Sequence, residues 1–279
     1  MKKLLLLLIL SFFSVQGFAA GCPDGSEPVK SVSADGTYYE YKCVNESTDL
    51  CERKSPDQND EFSNLSRLRV VGNAIVDDDC TTQVLRGVSV IDPFFMKLRE
   101  GGPDEKQFRL LAQHWKAKII RIPVHPDLWS DSYLKNYVDP IVEWGNKYGM
   151  YIFIGWHAHG NPITGEVEKP RWRNKLPWSG NPYNPDKQLA ISALREMVTR
   201  YKDKPWVIYG TFNEPSHITW IQWRPVADEL VDVIHAVDRR ALVTVSGVNW
   251  GYDLSDVLWN PVNRDNVVYE THPYPPKGE

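Results

Sequence analysis

The stretch Trp206-Val207-Ile208-Tyr209-Gly210-Thr211-Phe212-Asn213-Glu214-Pro215 decides the fold. Its first half is almost entirely apolar, which is typical of a strand buried in a parallel sheet. Asn213 and Glu214 then fall at the carboxyl end of the strand. Pro215 is expected to end the ladder, because proline lacks the N–H that a neighbouring strand needs. The stretch therefore predicts a buried strand that presents an amide and a carboxyl group at its C-terminal end.

Strands and helices alternate on both sides of this stretch. A hairpin is predicted over 68–77, with Gly72 at its turn. The six predicted strands are 84–90, 118–124, 150–156, 206–210, 241–246 and 266–271. The predicted helices are 103–118, 139–148 with a stop at Gly149, one that begins at Asn184-Pro185, and 226–237. This alternation indicates an α/β fold with right-handed crossovers, of the (β/α)8 TIM-barrel type, of which about six βα units are present.

Polar and aromatic side chains collect at the ends of the predicted strands. A barrel brings such ends together around one mouth, although they lie far apart in the chain. The residues are Arg121, His157, His159, Asn213, Glu214, Ser246, Asn249, Trp250, His272 and Tyr274. Cleavage of a glycosidic bond needs a carboxyl group that donates a proton to the leaving oxygen, and it gains from a partner for the sugar 2-hydroxyl. Glu214 and Asn213 fit these two needs.

Five motifs in this order resemble glycoside hydrolase family five, the cellulase-type retaining glycosidases. They are Leu85-Arg86-Gly87-Val88, Arg121-Ile122-Pro123-Val124, Gly155-Trp156-His157-Ala158-His159, Phe212-Asn213-Glu214-Pro215 and His272-Pro273-Tyr274. With the leading hairpin, the resemblance covers 65–279. Each motif is weak alone, but five in the right order at predicted strand ends form a specific signal.

The resemblance implies roles for these residues. Glu214 is expected to be the general acid/base, which must hold a proton near neutral pH. Asn213 is expected to hold the sugar 2-hydroxyl, and Trp250 to stack on a sugar ring. The family's remaining motif residues surround the nucleophile and the sugar bound to it, and here they are Arg121, His157, His272 and Tyr274. Further substrate-binding candidates are His159, Trp129 and Trp220, the alternative for each being a structural role.

The second carboxyl group of the family's pair has no visible match. In the family the nucleophile is a Glu at the end of strand seven, and retaining chemistry needs the two carboxyl groups about 5–5.5 Å apart. Glu270 faces the barrel interior, where an ion pair with Arg86 is the favoured interpretation and a catalytic role the weaker one. Asp92 follows the first strand and is expected to line the cleft or cap a helix. We therefore expect a fragment of a longer enzyme, with little or no hydrolysis of its own.

Composition excludes some partners and indicates others. The net charge is −4 and no basic block is present, so nucleic acid is not an expected partner. A polysaccharide or oligosaccharide is the expected substrate, most simply a β-linked glucan or mannan. A non-catalytic carbohydrate-binding remnant is the alternative. No cofactor or metal is expected; a metal-dependent barrel hydrolase, suggested by His157-Ala158-His159, lacks a bridging Lys at strand four. The oligomeric state is not indicated.

The N-terminal part predicts export. Residues 1–20 combine Lys2 and Lys3 with an apolar run from Leu4 to Val15 that is too short to span a bilayer, as in a signal peptide. The protein is then secreted or periplasmic, or alternatively lipid-anchored through Cys22. Residues 21–64 form a small segment with one strand predicted over 37–44. The four cysteines, Cys22, Cys43, Cys51 and Cys80, favour two disulfides, with three pairings open.

Overall fold

A computed structural model describes residues 65–168 and 181–274 in full, and 29–32 and 39–42 by their backbone. Contacts divide the chain into two units, Met1–Thr48 and Asp49–Glu279. In the first unit, β1 (Val29–Val32) pairs antiparallel with β2 (Tyr39–Lys42). The strand predicted over 37–44 contains β2. The signal peptide, the domain boundary at residue 64 and three of the four cysteines lie outside the described residues and stay predictions.

The second unit begins with the predicted hairpin. Strand β3 (Arg69–Val71) pairs antiparallel with β4 (Ala74–Val76). Gly72 at the turn has φ of +60°, a value that favours glycine because it has no Cβ. The backbone N–H of Val70 donates to Asn266 Oδ1 at 2.8 Å. The hairpin is thereby fixed to the chain just before the last strand of the main sheet.

Six parallel strands form the main sheet. Their bounds are β5 (Gly87–Ser89), β6 (Ile119–Val124), β7 (Tyr151–Trp156), β9 (Val207–Gly210), β11 (Val243–Ser246) and β12 (Val267–Glu270). They lie side by side in chain order, from β5 at one edge to β12 at the other. All residues of β7 and β9 are buried, as expected for strands covered on both faces. All six predicted strands are confirmed, with shorter bounds at several ends.

The sheet is strongly curled. Strands β6 and β12 are separated by four strand spacings, which in a flat sheet of about 4.8 Å per spacing would place them roughly 19 Å apart. Arg121 on β6 and Glu270 on β12 nevertheless approach to 3.4 Å between Nε and Oε1. Two side chains cannot bridge 19 Å, so the sheet must bend until its strands surround a common axis. This is the curvature of a (β/α)8 barrel, as the sequence predicts.

Six α-helices have described bounds: α1 (Pro93–Glu100), α2 (Glu105–Gln113), α3 (Asp139–Tyr148), α4 (Lys187–Tyr201), α5 (Trp220–His235) and α6 (Val248–Gly251). The predicted helix over 139–148 and its stop at Gly149, where φ is +67°, are confirmed. The helix predicted over 103–118 corresponds to α2, which is shorter in the structure, and α1, which precedes it, was not predicted. Helix α4 begins after the cap Asp186 rather than at Asn184-Pro185.

The start of α5 was also predicted wrongly. The helix was expected over 226–237, which begins just after Pro225, a residue type that removes one backbone hydrogen bond from a helix interior. The structure begins it at Trp220, with Pro225 inside, and Thr219 and Gln222 form a capping box at its N-terminus. Buried Trp220, Trp223 and Leu230 hold this face of α5 in the core. Among the described residues, no helix has the length and apolar character needed to cross a membrane.

Candidate active site

Glu214 lies in a two-residue strand at the mouth of the barrel. Strand β10 (Glu214–Pro215) pairs in parallel with β8 (His159–Gly160), so that Glu214 stands beside His159. The N–H of Glu214 donates to Ala158 O and that of Ser216 to Gly160 O, both at 3.1 Å. The strand ends at Pro215, as expected, and the residues on either side of the proline supply the donors of this short pair. This short pair fixes the backbone that carries the carboxyl group.

Two imidazole rings hold the Glu214 carboxyl group. His272 Nδ1 lies 3.0 Å from Oε1, and His159 Nδ1 lies 3.2 Å from Oε2. The Glu214 side chain is 10% exposed, so the group is largely withdrawn from bulk water. A carboxyl group that is buried but still reachable from the mouth can donate a proton to a bound substrate.

Asn213 is oriented by two partners. Arg121 Nη2 donates to its Oδ1, and its Nδ2 lies 2.9 Å from His159 Nε2. Since the Asn213 amide nitrogen is a donor, His159 accepts at Nε2, and its proton is therefore on Nδ1, directed to Glu214. His159 also lies flat against Tyr183, with ring centroids 3.8 Å apart. Asn213 and the stacked ring thus fix the orientation of the histidine beside the carboxyl group.

Glu270 lies on the far side of His272. Its Oε1 is 2.7 Å from His272 Nε2, and its Oε2 accepts a hydrogen bond of 2.9 Å from Thr244 Oγ1. Burial raises the pKa of Glu270, but the contacts with His272, Arg121 and Thr244 outweigh burial, so its pKa is lowered and it stays ionised. The predicted ion pair of Glu270 exists, but Arg86 was the wrong partner; the partner is Arg121.

A line of imidazole rings leads from the carboxyl group into the core. The ring of His157 lies 5.0 Å from that of His159 and 4.4 Å from that of His125. His125 Nδ1 is 3.0 Å from Oδ2 of Asp92, a buried carboxylate that also caps α1. Burial lowers the pKa of His157 well below its ordinary value. His157 is therefore a neutral ring.

Trp250 and Tyr274 are the two aromatic candidates that follow the last two strands of the main sheet. Trp250 has φ of +58° and its ring meets that of His217 edge-on at 5.6 Å. A left-handed conformation in a bulky residue is strained and persists where surrounding contacts enforce it, as at many ligand sites. Tyr274 is 55% exposed, and its ring centroid is 6.3 Å from that of His272. Tyr274 is therefore available at the surface beside His272, whereas Trp250 is half-buried.

Comparison with known proteins identifies the family to which this site belongs. Residues 76–279 match the family model of cellulase, glycosyl hydrolase family 5. The chain belongs to glycosyl hydrolase family 5. The resemblance drawn from the five motifs is thereby confirmed, as is the (β/α)8 fold class.

Curated proteins and solved structures are similar to this chain. The chain is 29% identical over 218 residues to endoglucanase A of Butyrivibrio fibrisolvens, which covers 75% of this chain and 45% of the relative. It spans less than half the length of the curated relatives it matches. It is also similar to a β-glucanase of Saccharophagus degradans solved in complex with cellotetraose, with 30% identity, a TM-score of 0.70, and coverage of 83% of this chain and 69% of that chain. The catalytic domain of a Thermobifida fusca endoglucanase, at 21% identity and a TM-score of 0.57, covers 73% of this chain and 63% of that one and shows the shared fold.

The fold brings together most of the site residues that the family resemblance implied. Six of them lie in one contact network around Glu214: Arg121, His157, His159, Asn213, Glu214 and His272. Trp129 is half-buried, with its ring edge-on to Trp156 at 5.6 Å. Trp220 was predicted wrongly as a cleft residue: it is 1% exposed, and its indole N–H donates to Asn260 O in the core. Trp220 lies in the first turn of α5, which was not predicted to be helical, and the helix places its side chain in the core.

Sequence reasoning missed four members of the site. Tyr183 stacks on His159, Thr244 bonds Glu270, and Tyr133 and His125 bond Asp92. His125 carried a usable signal, since it directly follows a predicted strand, as the chosen histidines do. Tyr183 lies in a long loop, where no periodic pattern indicates direction. No cluster of three or more metal-ligating side chains occurs in the part of the chain that the structure describes.

Proposed function

We propose that this protein is an endo-acting β-glucanase that cleaves β-linked glucan with retention of configuration, with Glu214 as the general acid/base. The observation that carries the proposal is the setting of Glu214 at the barrel mouth, held between His272 and His159 and next to Asn213. The likeness to a β-glucanase solved with cellotetraose favours a β-glucan over a mannan.

The arrangement suits proton donation to a leaving oxygen. Each of the two imidazoles contacts one oxygen of the Glu214 carboxyl group, and together they fix the plane of that group. Asn213 lies one residue away, with its oxygen held by Arg121, and is the candidate partner for the sugar 2-hydroxyl. In the retaining reaction, Glu214 protonates the departing oxygen and later removes a proton from the attacking water. The nucleophile of that reaction is not assigned to any residue in the described ranges.

Because this chain is expected to hydrolyse little by itself, the test is the Glu214→Gln variant of the full-length enzyme on substrates with different leaving groups. We expect turnover of soluble β-glucan and of aryl glycosides with poor leaving groups to fall about 10²–10⁴-fold, because these need a proton donor. An activated aryl glycoside should lose much less in the bond-breaking step. Glu229→Gln, which removes a half-exposed carboxylate paired with Lys187, is the matched control.

Product stereochemistry and binding complete the test. Proton NMR of the first products should show the β-anomer. Hydrolysis of glucan by Glu214→Gln at the native rate would contradict the assignment. Calorimetric binding of cellotetraose by the full-length enzyme without any hydrolysis would instead support the rival function, a carbohydrate-binding remnant.

We also propose that the protein is exported. Lys2, Lys3 and the apolar run that follows support a signal peptide, and an oxidising compartment would allow the predicted disulfides. Fractionation of cells that express the full chain tests this: recovery of the unprocessed chain in the cytoplasm alone would contradict it.

A further inference from the structure

Glu270 is a buried carboxylate to which the proposed reaction assigns no role. It lies on β12, two residues before His272, and its side chain is 16% exposed. Its contacts are with His272, Thr244 and Arg121. Burying a carboxylate is costly unless its partners compensate, so a purely structural explanation leaves open why the position carries a charge at all.

The contacts of His272 fix where its protons are. An ionised carboxylate only accepts hydrogen bonds, so the 2.7 Å contact with Glu270 requires a proton on Nε2. The other ring nitrogen, Nδ1, lies 3.0 Å from Glu214 Oε1. One further proton fits between these two atoms. It resides either on Glu214, which then donates to a neutral ring, or on His272, which then donates to a carboxylate; both arrangements have the same proton count and charge.

We propose that Glu270 is a positioning residue that keeps this one proton on the Glu214–His272 pair. The proposal rests on the proposed function, in which Glu214 must be able to donate a proton. Glu270 acts in two ways: it fixes Nε2–H of His272, so that Nδ1 faces Glu214, and its negative charge disfavours loss of the shared proton. Because the two groups are strongly coupled, they titrate as a pair.

The charged groups around the Glu214–His272 pair have opposite effects on the shared proton: some favour its retention and others its release. Among the described residues, Arg121 on β6 contacts Glu270, and its positive charge lowers the pKa of His272, which favours release of the proton. His157 on β7 and His159 on β8 also face it, and both are neutral in the arrangement described above. Burial lowers the pKa of His272, but Glu214 and Glu270 together outweigh burial and raise it. The carboxylates therefore dominate over Arg121 at this imidazole.

The experiment removes the charge and keeps the shape. Glu270→Gln is nearly isosteric and can still meet Thr244. In histidine-labelled protein, ¹⁵N NMR follows the seven histidines, with His272 assigned by its loss in His272→Gln. We expect His272 to lose its second proton at a pH lower by about one unit in Glu270→Gln than in the native chain. Asp232→Asn, which removes a carboxylate from an exposed pair with Arg264, should leave this titration unchanged.

A charge-conserving variant separates the charge from the contact. Glu270→Asp keeps the negative charge on a shorter side chain, so its titration should stay closer to the native one than that of Glu270→Gln. In the hydrolysis of β-glucan, the alkaline limb of kcat/KM should move to lower pH in Glu270→Gln by the same amount as the NMR titration.

Two results would overturn the proposal. One is a native His272 whose Nε2 is unprotonated near neutral pH, which needs no variant and so does not depend on how Glu270→Gln folds. The other is an unchanged His272 titration in a folded Glu270→Gln chain. Since NMR does not require turnover, a full-length enzyme in which His272 titrates as expected but which hydrolyses no glucan would contradict the proposed function and still support the role of Glu270.

Discussion

Asp92 accepts a hydrogen bond of 2.6 Å from the hydroxyl group of Tyr133, and this contact joins the loop after β5 to the loop after β6. The Asp92 carboxylate is 1% exposed and also accepts from the N–H groups of Phe94 and His125. Burial raises the pKa of Tyr133 well above its ordinary value, and the charge of Asp92 raises it further, so the phenol stays a donor. The buried carboxylate thus gathers its partners behind the line of imidazole rings.

Asp92→Ala should destabilise the fold by roughly 2–4 kcal/mol, because Tyr133 and His125 would be left as buried donors without an acceptor. Asp104→Ala is the matched control. Asp104 caps α2 by the same contact, to the N–H of Lys106, but is exposed and lacks the buried partners, so its loss should cost about 1 kcal/mol. Urea unfolding measures both. Equal losses would show that the buried partners contribute nothing beyond the helix cap.

The buried, neutral His157 should make stability depend on pH. Its pKa in the folded chain is depressed, so on acidification the unfolded chain gains a proton that the folded chain does not. Its contribution to the free energy of unfolding is therefore complete above the unfolded pKa of about 6.5 and is lost as the pH falls below it, by about 1.4 kcal/mol per unit until the folded pKa is reached.

The measurement compares urea unfolding at several pH values between 7 and 5. His157→Gln should flatten the dependence relative to the native chain, whereas His114→Gln, at an exposed histidine, should leave it unchanged. If the native chain and His157→Gln share one slope, the ring is not held neutral by burial.

The sequence predicted the architecture well because the strands are buried on both faces and read as continuous apolar runs. The strand over 150–156 and the helix over 139–148 are examples with clear ends. The helix starts were less predictable: Pro225 argued against a helix interior, while the burial of Trp220 and Trp223 stabilises one. Tertiary packing outweighed a local preference there.

Site residues could be predicted where they lie at strand ends within a family motif. They could not be predicted where a contact depends on how distant parts of the chain pack together. Glu214 and His272 were found in this way, but the pairing of Glu270 with Arg121 depends on the curl of the sheet across four spacings. No local pattern encodes that distance. Tyr183 was equally hidden, since its stacking on His159 depends on the path of a long loop.

Gly251→Ala should disturb the histidine beside Glu214. A Cβ at position 251 would lie 2.8 Å from His272 Nδ1, and its φ of +73° adds strain. We expect His272 to shift and hydrolysis of β-glucan to fall roughly 100-fold, as for misplacements of about 1 Å. Gly72→Ala has a similar φ of +60° but meets nothing within 4 Å, so it should cost about 1–2 kcal/mol of stability and little activity. Similar activities in the two variants would exclude a steric effect on His272.

Trp250 and Trp220 should respond in opposite ways to removal. Trp250→Ala is expected to weaken cellotetraose binding about tenfold, or ~1.4 kcal/mol, with little change in stability, because the ring follows β11 and is only half-buried. Trp220→Ala should cost about 3–5 kcal/mol of stability, because the side chain fills the core. Calorimetry and thermal unfolding separate the two effects. Unchanged affinity in Trp250→Ala would remove this ring from the substrate site.

The two-residue pair of β8 with β10 sets the register of Glu214 against His159. The connection that leaves Gly160 comes back to this pair at Tyr183, whose ring stacks on His159 and whose carbonyl oxygen accepts from the His159 N–H. We therefore expect changes of length and composition in this connection to leave the register of the carboxyl group unaltered where Tyr183 keeps these contacts. Loop grafts into that connection offer a route to chains that admit branched or mixed-linkage polymers while the proton-transfer machinery keeps its place.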